Sequence, residues 1–183
     1  MLFKQLNRRL NYVIGMLVKK LIHPERYQLN IRNCLSGKCC LSTELKSQKG
    51  AKLFLGKLNA ASNVHIVAVK GSQMSIGNDC FFNRNVIVIA KEKITIGQGC
   101  SFGPNVCVYD HDHAFGKEGM TQGYTTGQVT IGKNCWIGAG TIILKNTVIG
   151  DNCVIGAGCV VKGEIPANSL VTMPRELNIR ELR

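Results

Sequence analysis

Ile131-Gly-Lys-Asn-Cys-Trp-Ile137-Gly-Ala-Gly-Thr-Ile-Ile143-Leu-Lys-Asn-Thr-Val-Ile149-Gly-Asp-Asn-Cys-Val-Ile155-Gly-Ala-Gly-Cys-Val-Val161 repeats itself every six residues. Stepping by six from Ile131 meets Ile137, Ile143, Ile149, Ile155 and Val161, all β-branched aliphatics. The next residue is Gly132, Gly138, Leu144, Gly150, Gly156 or Lys162. Four residues after each aliphatic stand Cys135, Thr141, Thr147, Cys153, Cys159 and Ile165, mostly small. Each hexad supplies one short strand and a corner, and three hexads close a triangular coil of about 18 residues. The aliphatic points inward, the following residue is expected to make the turn, and the interior corner admits only a small side chain. The pattern predicts an all-β solenoid, a parallel β-helix whose coils bury one another.

The register extends upstream through Ile76, Phe82, Val88 and Ile94, slips by two to Ile96, and continues to Phe102 and Val108. Leu53-Phe54-Leu55-Gly56 and the alternation Val64, Ile66, Ala68 read as irregular first coils, to about residue 72. The predicted organisation is an N-terminal arm over 1–30, a β-helix over 31–172 and a tail over 173–183, read as a short helix.

Composition agrees. The chain has 183 residues with 45% hydrophobic and 6% aromatic, 20 Gly and 4 Pro. That excludes disorder and suits a core of small aliphatics. No run approaches the ~20 apolar residues of a membrane span. The formal charge is +12, of which +9 lies in residues 1–52. Aromatics do not interleave with this charge, which argues against a nucleic-acid partner. Of the nine cysteines, Cys80, Cys100, Cys135, Cys153 and Cys159 fall in the small interior slot and read as buried hydrophobes. Free interior thiols favour a reducing, cytoplasmic compartment.

The repeat breaks between Val108 and Ile131. The segment 109–128 contains Asp110, His111, Asp112 and His113, then four glycines among polar residues, and reads as a surface loop, where function concentrates. A positioned imidazole can remove a hydroxyl proton near neutral pH. Two solvated loop histidines, or zinc ligation with His65, are the other readings. Trp136, the only tryptophan, is expected to point outward, toward either a partner subunit or a substrate.

The segments Ile131-Gly-Lys-Asn-Cys-Trp-Ile-Gly-Ala-Gly, Val154-Ile-Gly-Ala-Gly-Cys-Val-Val and Ile165-Pro-Ala-Asn-Ser resemble the hexapeptide-repeat acetyltransferases. The closest match is to their galactoside, maltose and surface-polysaccharide O-acetyltransferases, over about residues 73–174. The resemblance implies a left-handed β-helix, a homotrimer and acetyl-CoA bound in a cleft between subunits, with no metal. Aligned without gaps from Ile76-Gly77, the family's catalytic histidine falls on His113, which would act as general base. Asp110, Asp112 or a backbone carbonyl would orient it. The family's active-site asparagine falls on Asn83, and its turn positions facing the pantetheine arm fall on Ala139 and Ala157. Acceptor contacts are expected from Asn83, Asp110, His111 and Trp136. The sugar-binding acid of the galactoside enzymes is replaced by Lys91. Lys162 stands one position from the usual basic residue near the CoA phosphates, and Arg175 and Arg180 are the C-terminal candidates for the same role.

Leu2, Phe3, Leu6, Leu10, Val13, Ile14, Leu17 and Leu21 form a helical stripe, with basic residues largely between and Pro24 at its end. This basic amphipathic helix suits either an anionic membrane, through residues 1–22, or packing on the trimer. Its apolar stretch Tyr12 to Val18 resembles a signal peptide, but Lys19-Lys20 stands where a cleavage site belongs, so the segment is read as retained. The sequence-based expectation is therefore an acetyl-CoA-dependent O-acetyltransferase of a carbohydrate hydroxyl, with a lipid-linked surface-polysaccharide precursor at the cytoplasmic membrane face as the favoured acceptor. The alternatives are N-acetylation of an amino-sugar nucleotide, serine O-acetylation, an inactive β-helical assembly subunit, and a zinc carbonic anhydrase.

Overall fold

The computed structural model describes residues 27–29, 38–39 and 44–173. The helical stripe over residues 2–21, the tail beyond 173, and Arg175 and Arg180 lie outside them. Among the described residues every regular element is a strand, and no helix is long and apolar enough to cross a membrane.

The chain winds into a parallel solenoid of about six turns. Its register forms three columns of inward residues, one per face. Leu55, Ile76, Ile96, Ile131, Ile149 and Ile165 stack on the first face. The second face stacks Ala60, Phe82, Phe102, Ile137, Ile155 and Val171. Ile66, Val88, Val108, Ile143 and Val161 pair along the third. From Leu53 to Val161 the aliphatics of the repeat are buried, and Phe82 stacks on Phe102 with ring centroids 4.7 Å apart. Within the segment assigned to the arm, Tyr27–Leu29 is a strand that pairs with Lys52–Leu55. The upstream coils follow the same three columns and differ in the length of their corner turns, longer from Ile66 to Ile76 and one residue shorter from Leu55 to Ala60.

Two details of the hexad differ from the sequence reading. The turn is not made by the glycine after the aliphatic. The left-handed residue comes two positions later, at Asp79, Gly99, Asn134, Asn152 and Asn168 on one corner and Asn85, Asn105, Gly140 and Gly158 on the next. Asn and Gly tolerate positive φ where other side chains do not. Asparagines on successive coils also bond one another, Asn85 Nδ2 to Asn105 Oδ1 at 3.0 Å and Asn152 Nδ2 to Asn168 Oδ1 at 3.1 Å. The glycine after the aliphatic is needed for space. A Cβ on Gly97 would stand 2.6 Å from the Gly132 carbonyl of the next coil, and one on Gly138 would stand 2.5 Å from Ala157 N.

The second detail is the apparent slip. Ile94 and Ile96 share one strand, Lys93–Ile96, and both face inward. The extra residues lie in the corner between the third and first faces, where Ile66 to Ile76 and Val88 to Ile96 exceed six and Ile143 to Ile149 equals it. That corner absorbs insertions, and the Val108 to Ile131 segment leaves the coil there.

The interior cysteines do more than fill space. Cys80, Cys100, Cys135 and Cys153 donate to carbonyls of the next coil, at Gly97, Gly132, Gly150 and Pro166, over 3.0–3.2 Å. They satisfy buried acceptors at a corner where the strand ladder is interrupted. The Cys100 thiol is drawn down by Cys135 but pushed up further by Cys80 and by burial, to about 11. Contact with Cys100 and burial push Cys135 up as well.

Gly97→Ala should lower stability by roughly 2–4 kcal/mol, because the obstruction is backbone, whereas Gly116→Ala, in open space, should change it by less than about 0.5 kcal/mol; thermal unfolding of the two variants measures the contrast. Cys80, Cys100, Cys135, Cys153 and Cys159 should resist iodoacetamide at about pH 8 until the protein is unfolded, since all five are buried beyond the reach of the reagent; peptide mass mapping reads this directly.

Candidate acetyl-transfer site

The segment expected as a loop is a β-hairpin. His111–Gly116 pairs antiparallel with Gly119–Thr126, setting His111 opposite Thr126, His113 opposite Tyr124 and Gly116 opposite Gly119. Lys117-Glu118 connects the two strands, and Gly119 after it takes the positive φ, 92°, that the turn requires. Phe115 and Met120 stand exposed near its tip.

The base of the hairpin is fixed from both neighbouring coils. Asp110 is fully buried, and its carboxylate accepts the backbone N–H of Lys91 (2.8 and 3.1 Å) and Glu92 (2.8 Å) from the corner of the preceding coil. The same carboxylate lies 3.0 Å from His111 Nδ1. Its backbone carbonyl accepts the N–H of Gly127 across the hairpin neck at 2.8 Å. From the following coil, Lys145 Nζ pairs with Asp112 at 3.2 Å and reaches the hydroxyl of Thr125. Burying a carboxylate is costly unless its oxygens are saturated with hydrogen bonds in this way.

This geometry divides the two histidines. His111 is largely covered, lies edge-on to Tyr109 and Tyr124, and is bonded to Asp110. His113 is exposed, packs on Tyr124 with ring centroids 4.8 Å apart, and lines an open concavity of about 320 Å³ with Met120, Thr121, Gln122, Gly123 and Tyr124. The aspartates therefore have other duties than the expected one of orienting His113: Asp110 holds His111 and the coil, and Asp112 holds Lys145. Residue 112 projects to the opposite side of the strand from its neighbour 113. Lys91 Nζ sits 3.5 Å from the centre of the Tyr124 ring. Sequence reading missed Tyr124, because only the antiparallel register places it beside His113.

The remaining candidates lie elsewhere on the coil. Asn83, Ala139 and Ala157 occupy the corner between the second and third faces, where Asn83 Oδ1 accepts from Arg84 N at 2.8 Å. Ala139 and Ala157 are exposed, and Gly158 N donates to Ala139 O at 2.7 Å. These turns present little beyond backbone and a methyl group. Trp136 is 58% exposed on the second face, in one outward column with Phe81, Ser101, Val154 and Leu170. Lys162 is exposed at the same corner as the hairpin, where Val161 turns toward the first face. Within one chain, then, the His113 hairpin and the Ala139 and Ala157 turns stand at opposite edges of the third face. Among the described residues, no group of three His, Cys, Asp or Glu side chains could hold a metal ion; His65 Nε2 lies 3.0 Å from Asn63 Oδ1.

Comparison with known proteins supports the fold. The bacterial transferase hexapeptide (six repeats) family matches residues 128–163. None of the curated proteins matches the chain. Among solved structures, a maltose O-acetyltransferase from Clostridium difficile 630 is 28% identical, over 88% of this chain and 81% of its own, with a TM-score of 0.57. A hexapeptide-repeat-containing acetyltransferase from Vibrio cholerae is 25% identical, over 67% of this chain and 68% of its own, with a TM-score of 0.56. Such an acetyltransferase from Vibrio cholerae O1 biovar eltor, complexed with acetyl-CoA, aligns at 23% identity over 67% and 65% of the two chains, with a TM-score of 0.53. This chain carries the bacterial transferase hexapeptide repeat and shares the solenoid fold of the hexapeptide-repeat acetyltransferases.

Proposed function

We propose that the protein is an acetyl-CoA-dependent O-acetyltransferase of a carbohydrate hydroxyl, with His113 as general base. The observation that carries this reading is an exposed imidazole lining an open concavity, on a hairpin held rigid by Asp110 and Lys145. His113 takes the proton of the acceptor hydroxyl as its oxygen attacks the thioester carbonyl. The carbon–sulfur bond then breaks, and the imidazolium returns the proton to the departing CoA sulfur. The small, exposed Ala139 and Ala157 turns are assigned to the amide-bearing arm of the donor, and Lys162, Arg175 and Arg180 are the cations assigned to its phosphates.

The separation of hairpin and turns supports assembly. A hairpin of one chain meets the turns of another when copies associate through their third faces. That face is apolar outside as well as inside: His65, Ile87, Cys107, Ile142 and Val160 form its outward column, with Ile142 and Val160 exposed in the single chain. The first face instead presents Gln73, Ser75, Lys93 and Thr95. Exposed apolar surface of this extent marks an interaction site. The same reading carries a left-handed coil, a homotrimer, a cytoplasmic location and membrane contact through residues 1–22, with a surface-polysaccharide precursor as acceptor. The maltose O-acetyltransferase relative favours oxygen over nitrogen as the nucleophile.

The Asp110–His111 contact supports a second reading, in which His111 is the base, since a buried carboxylate fixes an imidazole tautomer and leaves Nε2 free. The two are separated by substitution. His113→Ala should lower kcat by about 10²–10⁴-fold with association state unchanged by light scattering, and His111→Ala should do less; the reverse order would transfer the role to His111. Calorimetric titration with CoA should show one site per chain, and an absence of binding would overturn the transferase reading.

A further inference from the structure

We propose, on the reading of this site as an acetyl-transfer site, that Lys91 and Tyr124 form the acceptor subsite for an anionic carbohydrate, one carrying a carboxylate or a phosphate near the hydroxyl that reacts. Lys91 lies in the corner turn of the coil that precedes the hairpin, and its own backbone N–H is bound by buried Asp110. Its position is therefore set by the contact that fixes the hairpin. Its ammonium rests 3.5 Å from the centre of the Tyr124 ring, and the His113 ring contacts the same tyrosine at 4.8 Å. The cation and the proposed base are thus one aromatic ring apart.

No carboxylate among the described residues neutralises this cation. The Asp110 oxygens are taken by two backbone N–H groups and His111, and Asp112 pairs with Lys145. Glu92 supplies only a backbone N–H to the cluster, and Glu118 lies at the hairpin tip; neither pairs with Lys91. A ring quadrupole orders an ammonium without cancelling its charge. A partly buried cation beside a concavity favours an anion there, whereas a neutral sugar is usually held by acceptors for its hydroxyls. Tyr124, 47% exposed, lines the concavity, so a sugar seated there meets the tyrosine while Lys91 meets its acidic group.

The test is calorimetric titration of the full-length protein, with and without saturating CoA, using sodium glucuronate, glucose 1-phosphate and glucose as probes. At least one anionic sugar should bind about tenfold more tightly than glucose, as expected for a charge-assisted contact. Lys91→Gln should remove that preference and leave CoA affinity unchanged, Lys91→Arg should retain it, and Tyr124→Ala should weaken all three sugars together. Preference for glucuronate identifies a carboxylate, and preference for glucose 1-phosphate a phosphate. Equal or absent binding of the anions, or a preference that survives Lys91→Gln, overturns the assignment. Loss of CoA binding in the wild-type protein would overturn the transferase reading instead, and the anion titration without CoA would still decide the role of Lys91.

Discussion

Each coil lies directly on the next at the spacing of hydrogen-bonded parallel strands, about 4.8 Å, and this spacing governs the rest of the molecule. Where a corner turns tightly it leaves no room for a side chain after the inward residue, so Gly77, Gly97, Gly132, Gly138 and Gly150 sit against the backbone of the following coil. It brings asparagines of successive coils within bonding distance and lets interior thiols reach carbonyls one coil away. Two corners are locked by these contacts. The third carries fewer of them, such as Thr147 to the Val161 carbonyl, and it is the corner that holds the lengthened turns and the hairpin.

The inward columns and the outward Trp136 were legible because a six-residue period projects every sixth side chain along one line. The upstream coils looked irregular because their corner turns depart from six residues, while Leu53, Leu55, Ile66 and Ala68 are as buried as the residues of the regular part. The asparagine positions were written in the sequence as well, as the unspecified residues of the hexad. A left-handed turn was legible there only with the backbone in view. The site was legible in part. Histidines at the break in the repeat stood out, but their division of labour depends on Asp110 reaching back to the Lys91 turn and on Tyr124 returning across an antiparallel ladder. Neither contact has a local spacing that announces it.

Asp110 illustrates how a solenoid can hold a precise site. A hairpin projecting from a stack has few neighbours, and its strands are exposed along much of their length. One buried carboxylate binds two backbone groups of the coil before, and one lysine reaches in from the coil after. Rigidity is borrowed from the stack at the root, where His111 and His113 sit, and is not needed at the tip. The proposed donor turns lie at another corner, at the opposite edge of the third face from the hairpin.

The hairpin also alters how the chain must find its fold. Most coils close over short distances, with Ile76 meeting Ile96 and Ile137 meeting Ile155. The coil that carries the hairpin joins Ile96 to Ile131 and Val108 to Ile143 across a far longer stretch. Closing a longer loop costs more chain entropy and slows the search for its partners. A β-hairpin forms within about 1–10 μs, so when 111–126 pairs first, the remaining loop shortens to nearly that of an ordinary coil. The element that holds the histidines is thereby also the element whose early formation lets the two halves of the solenoid join.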